Sequence, residues 1–563
     1  MTYLITQACC NDASCVSVCP VNCIHPTPDE PAFMSAEMLY IDPDTCIECA
    51  ACVDECPVDA IKLDTDLAES DSRYLTINAS YFEQNPIDPD DFPMEPKSRR
   101  GDFSGLRVAI VGSGPAASYA AAEVLRHRGA EVDMYERLLT PYGLIRSGVA
   151  PDHQGTKAIT ALYRDTMSKP SFHLHLGIEI GRDLSHLELL EHHSAVIYAV
   201  GASGDQRLRI DGEDLPGSHA ATEFVAWYNG HPDYADAEFD LSGERAVIVG
   251  NGNVALDVAR ILVSDPDALD RTDIADHALS TLRNSNICEV VILGRRGPAQ
   301  AAYTNSEFHA LTQLPGIDVV VDPREVTLDE HTRALIDGGD ASAAVRLKAE
   351  LAAELGQRAV ADDRKRIVFR YLVSPTEIVG DARATGVHVV RNSLVLDDAG
   401  VARAVAGEDG EFIEAGLVLR SIGYRGTGIA DVPFDPKRGV IPNANGRVID
   451  PGSGDVVGGV YTTGWIKRGP SGGIGTNKKC ARDTVDLLLD DFGNGRLGPV
   501  TARGDLETLI AERQPKAVDF AGWNRIDTAE RQAGGERGRP RVKFVSLESM
   551  AEAARAIDSA SAR

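Results

Sequence analysis

Long apolar runs are missing from this 563-residue chain. No stretch approaches the ~18–20 apolar residues of a membrane span, so a helical membrane protein is excluded. Cations are scarce: 56 Lys and Arg stand against 85 Asp and Glu, a formal net charge of −29. The deficit is steepest at the start, where residues 1–96 carry 19 acidic and 2 basic side chains. Such a field repels phosphate backbones and argues against nucleic acid as a partner, while it suits docking on a basic protein patch. Tandem repeats, low-complexity tracts and an apolar leader segment are lacking too, so a soluble, cytoplasmic protein is expected. Cysteine is nearly absent from the bulk of the chain. Only Cys288 and Cys480 lie beyond residue 56, and both are expected to be structural.

The remaining nine cysteines crowd into the first 56 residues. Cys46, Cys49, Cys52 and Cys56-Pro57 form a C-x2-C-x2-C-x3-C-P run, the spacing with which short loops hold iron–sulfur cubanes. In such a run the fourth cysteine serves the other cluster. Cys46, Cys49 and Cys52 would therefore share a 4Fe–4S cluster with Cys19, and Cys56 would cross over to Cys9 and Cys15. The first run keeps C-x3-C-P at Cys15 and Cys19, but Asp12 stands where a middle cysteine would be. Two readings stay open: a 3Fe–4S cluster on three thiolates, or a 4Fe–4S cluster with an oxygen ligand from Asp12. Cys23 is expected to be a plain buried thiol, and Cys10 has no assigned role. A zinc site fits two crossed runs poorly, and a disulfide framework needs an oxidising compartment.

A chain of this length exceeds one core, and about three domains are expected. Residues 63–104 show no strong pattern apart from Tyr74–Asn78, and their Pro/Asp run reads as an exposed linker. Leu106–Val111 is an apolar strand, followed by Gly112-Ser113-Gly114-Pro115-Ala116 and an alanine-rich helix to about Arg128. A second strand from Glu131 ends at Glu136. This is a dinucleotide-binding unit: Gly112 and Gly114 let a pyrophosphate approach, small Ala117 at the last position of G-x-G-x-x-A lets helix pack on strand, and Glu136 can accept from a ribose. The unit recurs at Arg245–Val249, with Gly250-Asn251-Gly252-Asn253-Val254 and a helix through Leu262. Its next strand, Glu289–Leu293, ends in Arg295 and Arg296 instead of an acid, which favours a 2′-phosphate and hence NADP over NAD. FAD for the acid-ended site and NADP for the arginine-ended site follow, because only a flavin connects a two-electron hydride donor to one-electron clusters. The fold expected is α/β: two Rossmann-like domains plus a small α+β iron–sulfur domain. Residues 325–365 read as a surface helix, and 504–563 as mostly helical with loops around Gly534-Gly535 and Gly538.

These motifs make residues 1–62 resemble seven-iron bacterial ferredoxins, and residues 106 to about 560 resemble the adrenodoxin reductase family of ferredoxin–NADP reductases, in the actinobacterial form with a fused ferredoxin. The stretches that carry the second resemblance are Thr140–His153, Gly250–Asp257, Gly294–Pro298, Ser421–Tyr424 and Gly464–Asn477. The resemblance implies a FAD domain over 105–202 and 428–563 with an NADP domain over 203–427 inserted in it. It implies that Ala116, Glu136, Leu144, Ile180, Trp465 and Gly472, Gly473 and Ile474 line the FAD site. It implies that Asn251, Gly252, Asn253, Val254, Arg295, Arg296 and Glu307 hold NADP, with Gly472 near the nicotinamide. The glycine-rich turn 472–475 is expected to be small so that a nicotinamide can lie flat on the flavin. His153 and Glu307 are candidates at the reacting centre for positioning the nicotinamide, because hydride transfer depends on distance and orientation. Ala310 stands where some family members have a second glutamate that pairs with the histidine. The activity implied is electron flow from NADPH to a ferredoxin or another one-electron acceptor protein. Glutamate synthase small subunits also combine clusters, FAD and NADP, but Gly250–Val254 and Gly464–Pro470 disfavour that reading.

Overall fold

The computed structural model describes residues 1–87, 101–359, 361, 364–398, 400–502 and 505–556. Two mainly parallel sheets organise the body of the chain, the larger with antiparallel strands at one edge. The larger has seven strands in the order 443–444, 447–449, 456–462, 195–198, 107–111, 131–136 and 172–176. Strand Arg107–Val111 runs parallel to both Glu131–Glu136 and Ala195–Tyr198. These central strands are apolar on both faces because helices cover both sides; Val108, Ala109 and Ile110 are fully buried. The second sheet has six strands in the order 218–220, 417–420, 245–249, 289–294, 365–371 and 317–321. All six lie between the two chain segments that build the first sheet, so the second α/β unit is an insertion in the first. A three-stranded antiparallel sheet, Val373–Val379, Gly386–Leu396 and Ala402–Glu414, flanks it.

The cysteine-rich head is built from two small antiparallel pairs, Tyr3–Ile5 with Ile61–Leu63 and Ile24–His25 with Tyr40–Ile41. Positive φ angles at Asn11, Ala13, Glu48 and Ala50 curl its cysteine loops. The segment expected to be a linker is a correction: Arg73–Gln84 is a 12-residue helix. Tyr74, Ile77 and Asn78 are buried on it. Asn78 completes the head, its Oδ1 accepting from the N–H groups of Ile5 and Ile41 at 3.1 and 3.0 Å. The β-prone run Tyr74–Asn78 is helical because tertiary burial of one face outweighs a propensity difference of a few tenths of a kcal/mol per residue. The proline-rich part of that segment, 88–100, lies outside the described residues.

Two further expectations are revised. The 325–365 segment holds two helices, Glu330–Asp337 and Ala343–Leu355, and the second buries Leu347, Leu351 and Leu355. The pair Gly534-Gly535 lies within the helix Phe520–Glu536 and is no loop. Packing around Trp523 and Ile526 carries the helix through two residues that would weaken it alone. Among the described residues no helix is long and apolar enough to cross a membrane.

Within the first sheet, fully buried Asp133 on the strand Glu131–Glu136 accepts from Arg107 at 2.6 and 3.0 Å and faces the Nε2 atoms of His175 and His193 at 3.0 and 3.2 Å. Burial by itself would raise its pKa; hydrogen bonds from His175, His193 and Arg107 outweigh that and hold it far below the usual carboxylate range. A depressed carboxylate contributes stability that is present above the unfolded Asp value, about 4, and lost as pH falls below it. Asp133→Asn should therefore destabilise the fold by about 3–5 kcal/mol, because it leaves buried donors unanswered. Thermal melting followed by circular dichroism at pH 7 checks this, and a variant that melts with the wild type would exclude it.

Candidate functional site: the junction of two nucleotide sites and an iron–sulfur head

At the first glycine turn Gly112 has φ 102°, and a Cβ there would stand 2.6 Å from the carbonyl of Ala199. A Cβ on Gly114 would meet nothing within 4 Å, so the cradle above the helix Pro115–Val124 is open. No side chain caps that helix, leaving its first N–H groups for a phosphate. Glu136 ends its strand as expected, accepting from Ser113 Oγ at 2.7 Å and from the Leu138 N–H at 3.0 Å. Leu144 is exposed for an apolar residue, as a wall for a flat ring must be. Ile180 is buried in the apolar cluster that includes Val111 and Tyr135, and Ala116 is buried on the helix face. Trp465 donates from Nε1 to the Gly472 carbonyl at 3.3 Å, and Asn477 Nδ2 donates to the Gly473 carbonyl at 3.0 Å. Ile474 packs, half-buried, on the core. These features fit FAD.

The second turn is open in the same way. Gly252 precedes the helix Asn253–Val263 with no side-chain cap. Asn251 Oδ1 accepts from Ala302 N–H at 3.4 Å and Asn253 Oδ1 from Thr304 N–H at 2.9 Å, so both asparagines tie the turn to the loop before the helix Asn305–Leu311. Val254 is half-buried on the helix. Arg295 is exposed and Arg296 half-buried, and among the described residues no carboxylate pairs with either. Burial lowers the pKa of Arg296, and its cationic neighbours Arg295 and Arg403 lower it further. Cations that repel one another and lack an acid form a site for a phosphate dianion.

Between the turns His153, Asp257 and Glu307 bring ligand atoms within 4.8 Å of one another. His153 Nδ1 is 4.0 Å from Asp257 Oδ1, and Arg260 locks the group by binding Asp152 at 2.7 and 3.0 Å and Asp257 at 2.7 Å. Asp257 thus occupies the role of acid beside the histidine that Ala310 leaves open. Burial raises the pKa of Glu307, while His153 pulls it back.

The cysteines fall into two sets. Burial pushes the Cys15 thiol well up, with Cys9 and Cys56 adding to the rise. Burial pushes Cys52 up to about 12, with Cys19, Cys46 and Cys49 adding. Cys19, Cys46, Cys49 and Cys52 line one small cavity, and Cys23 lines it with them. Backbone N–H groups point at the sulfurs, from Cys23 to Cys19 at 3.3 Å and from Ala60 to Cys56 at 3.2 Å. Such donors to thiolates fit iron–sulfur ligation. Cys23 is buried as expected, yet its Sγ lies 3.4 Å from Cys19 Sγ, which lowers Cys19 to about 6. Cys480 is buried and accepts from Thr463 and Gly464, and Cys288 is exposed.

The head sits on both halves of the body. Gly475 N–H donates to the Cys10 carbonyl at 2.7 Å, and a Cβ on Gly475 would overlap the backbone of Asn11 and Asp12. Part of the glycine turn is therefore small for the head and not for a nicotinamide. Asp12, 3% exposed, accepts from Tyr119 Oη at 3.2 Å, from Lys478 Nζ at 3.1 Å and from Ser14 Oγ. Lys478 and Tyr119 escaped the reading of the sequence because neither stands in a motif.

A model of 4Fe–4S binding domains matches residues 39–62, and one of pyridine nucleotide-disulphide oxidoreductases matches residues 106–293. A probable ferredoxin/ferredoxin–NADP reductase of Mycobacterium tuberculosis is 51% identical over 98% of this chain and 95% of its own length. The chain belongs to the ferredoxin–NADP reductases. More closely, it belongs to their adrenodoxin reductase type, in the form with a fused ferredoxin head. The NADPH-ferredoxin reductase FprA of M. tuberculosis is 47% identical to this ferredoxin–NADP reductase over 78% of the chain and 97% of FprA. The solved structure of FprA in complex with NADPH superposes with a TM-score of 0.76 at 45% identity, covering 80% of this reductase and 100% of FprA.

Proposed function

We propose that this ferredoxin–NADP reductase binds NADPH on the second glycine turn and FAD on the first, and passes electrons through its own head to a ferredoxin-type acceptor protein. The single observation that carries the internal route is the seating of the Cys9–Cys15 loop on Gly475. Held on the first glycine turn, a flavin would supply the conversion of a two-electron hydride into single electrons. The chain's own residues do the rest. Glu136 and the first glycine turn hold FAD, while Leu144, Trp465 and the turn 472–474 shape its surroundings. Arg295 and Arg296 hold the 2′-phosphate. His153, Asp257 and Glu307 orient the nicotinamide. Residues 105–202 with 428–563 serve FAD and residues 203–427 serve NADP, and the helix Arg73–Gln84 goes with the head.

The cluster of Cys9, Cys15 and Cys56 is of the 3Fe–4S type in this reading, and that of Cys19, Cys46, Cys49 and Cys52 is 4Fe–4S. Support comes from Asp12: its carboxylate is engaged by Tyr119, Lys478 and Ser14, so its oxygens serve the junction. The three-iron site then lies beside the flavin domain. The four-iron site, with exposed Cys49 and with Ile47 58% exposed, faces outward.

EPR under anaerobic conditions tests this reading. The oxidised protein should show a three-iron signal that disappears on addition of NADPH. Lys478→Met should slow that loss by roughly tenfold, the worth of one charge-assisted hydrogen bond, while ferricyanide reduction by NADPH persists. Asp12→Cys should replace the three-iron signal by a second four-iron one. A wild-type protein with two four-iron clusters would make Asp12 an iron ligand.

A further inference from the structure

The helix Asn305–Leu311, which carries Glu307, is gripped by the head along its length. Glu37 accepts from the Asn305 N–H at 2.8 Å and pairs with Lys348 at 2.8 Å. The Tyr74 hydroxyl donates to the Ser306 carbonyl at 3.3 Å, and His309 Nε2 meets the Ser70 carbonyl at 2.9 Å. Amid these anchors the Gln7 side chain donates from Nε2 to Glu307 Oε2 at 2.6 Å. Gln7 stands two residues before Cys9, on the loop that leads to the inner cluster site. Among the described residues no donor binds the other oxygen, Oε1. A primary carboxamide such as that of nicotinamide carries the N–H group this oxygen lacks.

FprA aligns over 97% of its length with only 78% of this chain. That leaves no room in it for a segment the size of the head, and so none for a counterpart of Gln7. The contact belongs to the fused form.

We propose that Gln7 is a positioning residue of the hydride-transfer site: by holding one oxygen of Glu307 it aims the other at the nicotinamide, so that the docked head sets the geometry of hydride transfer. This rests on the reading of Glu307 as a nicotinamide ligand. Glu307 is faced by His153, by Asp257 and Arg260 of the helix Asn253–Val263, and by Tyr74 and Gln7 of the head. Without an amide donor from the head, the carboxylate is free to turn to His153 or Arg260, and its lone pairs leave the substrate. One hydrogen bond to a charged group therefore couples the electron carrier to the hydride donor, which a tether alone does not do.

Stopped-flow bleaching of the flavin by NADPH, together with calorimetry of NADP+ binding, tests this on the full-length protein. Gln7→Leu removes the donor at nearly constant volume. It should slow bleaching at saturating NADPH by roughly three- to tenfold and weaken NADP+ binding by a smaller factor, with FAD content and cluster EPR unchanged. Gln7→Glu sets two carboxylates face to face. Its bleaching rate should fall steeply as pH rises and return toward that of the wild type as pH falls. Glu307→Gln tests the underlying site. If Glu307→Gln bleaches and binds NADP+ like the wild type, Glu307 is not at the nicotinamide and the site reading fails. If Glu307→Gln is slow while both Gln7 variants keep the wild-type rate, affinity and pH profile, the site stands and Gln7 has no part in it.

Discussion

Replacing Arg295 and Arg296 together by alanine is expected to lower kcat/KM for NADPH by roughly 10²- to 10³-fold and to leave that for NADH almost unchanged. The two guanidinium groups follow the strand Glu289–Gly294 at its carboxyl end, where a parallel α/β sheet presents its ligand. No carboxylate among the described residues neutralises them, so the protein tolerates two adjacent cations whose natural complement is the 2′-phosphate. A hydrogen bond to a charged group contributes about 1.5–3 kcal/mol, and the lower end applies here because Arg295 is exposed. Arg296, half-buried, should account for the larger share. Steady-state reduction of ferricyanide with each nucleotide measures the effect without involving the head. A double variant that keeps its preference for NADPH would show that the phosphate is read elsewhere.

Gly475→Val is expected to uncouple the head. Gly475 has φ −73° and ψ −26°, a conformation open to any residue, so its own backbone does not demand glycine. The demand comes from Asn11 and Asp12, whose backbone occupies the space of a side chain. Backbone cannot swing aside as a flexible side chain can, so the added bulk should incur an overpacking penalty of about 1–3 kcal/mol. That corresponds to a roughly 5- to 150-fold lower population of the seated head. Reduction of the clusters and of cytochrome c by NADPH should fall accordingly, while reduction of ferricyanide at the flavin continues. Equal loss of both activities would mean that valine damages the flavin site itself, and unchanged cytochrome c reduction would mean that the seating carries no electrons.

Much of the chemistry was legible in short stretches of chain. The spacing Cys46–Cys56, the turns Gly112–Ala116 and Gly250–Val254, terminal Glu136 and terminal Arg295/Arg296 each mark a local structure, and the strands and helices around them form where the pattern places them. The helix Arg73–Gln84 was not legible, because its run Tyr74–Asn78 is β-prone and its stability comes from Tyr74, Ile77 and Asn78 buried against other segments. Asp257 stood inside a quoted motif, yet only folding shows it to be the acid beside His153.

By itself, then, the sequence determined the kinds of site, a 4Fe–4S binding loop and two dinucleotide turns, because a cluster loop or a phosphate cradle is made by neighbours in the chain. The tertiary structure alone decided how the head meets the body. Gln7 reaches Glu307 across 300 residues and Asp12 reaches Lys478 across 466. Contacts of that span depend on how finished domains pack, and no local pattern of residue types encodes them. Asp12 shows the difference most plainly. Its spacing leaves it open as an iron ligand, and its surroundings engage it with Tyr119 and Lys478 of the body.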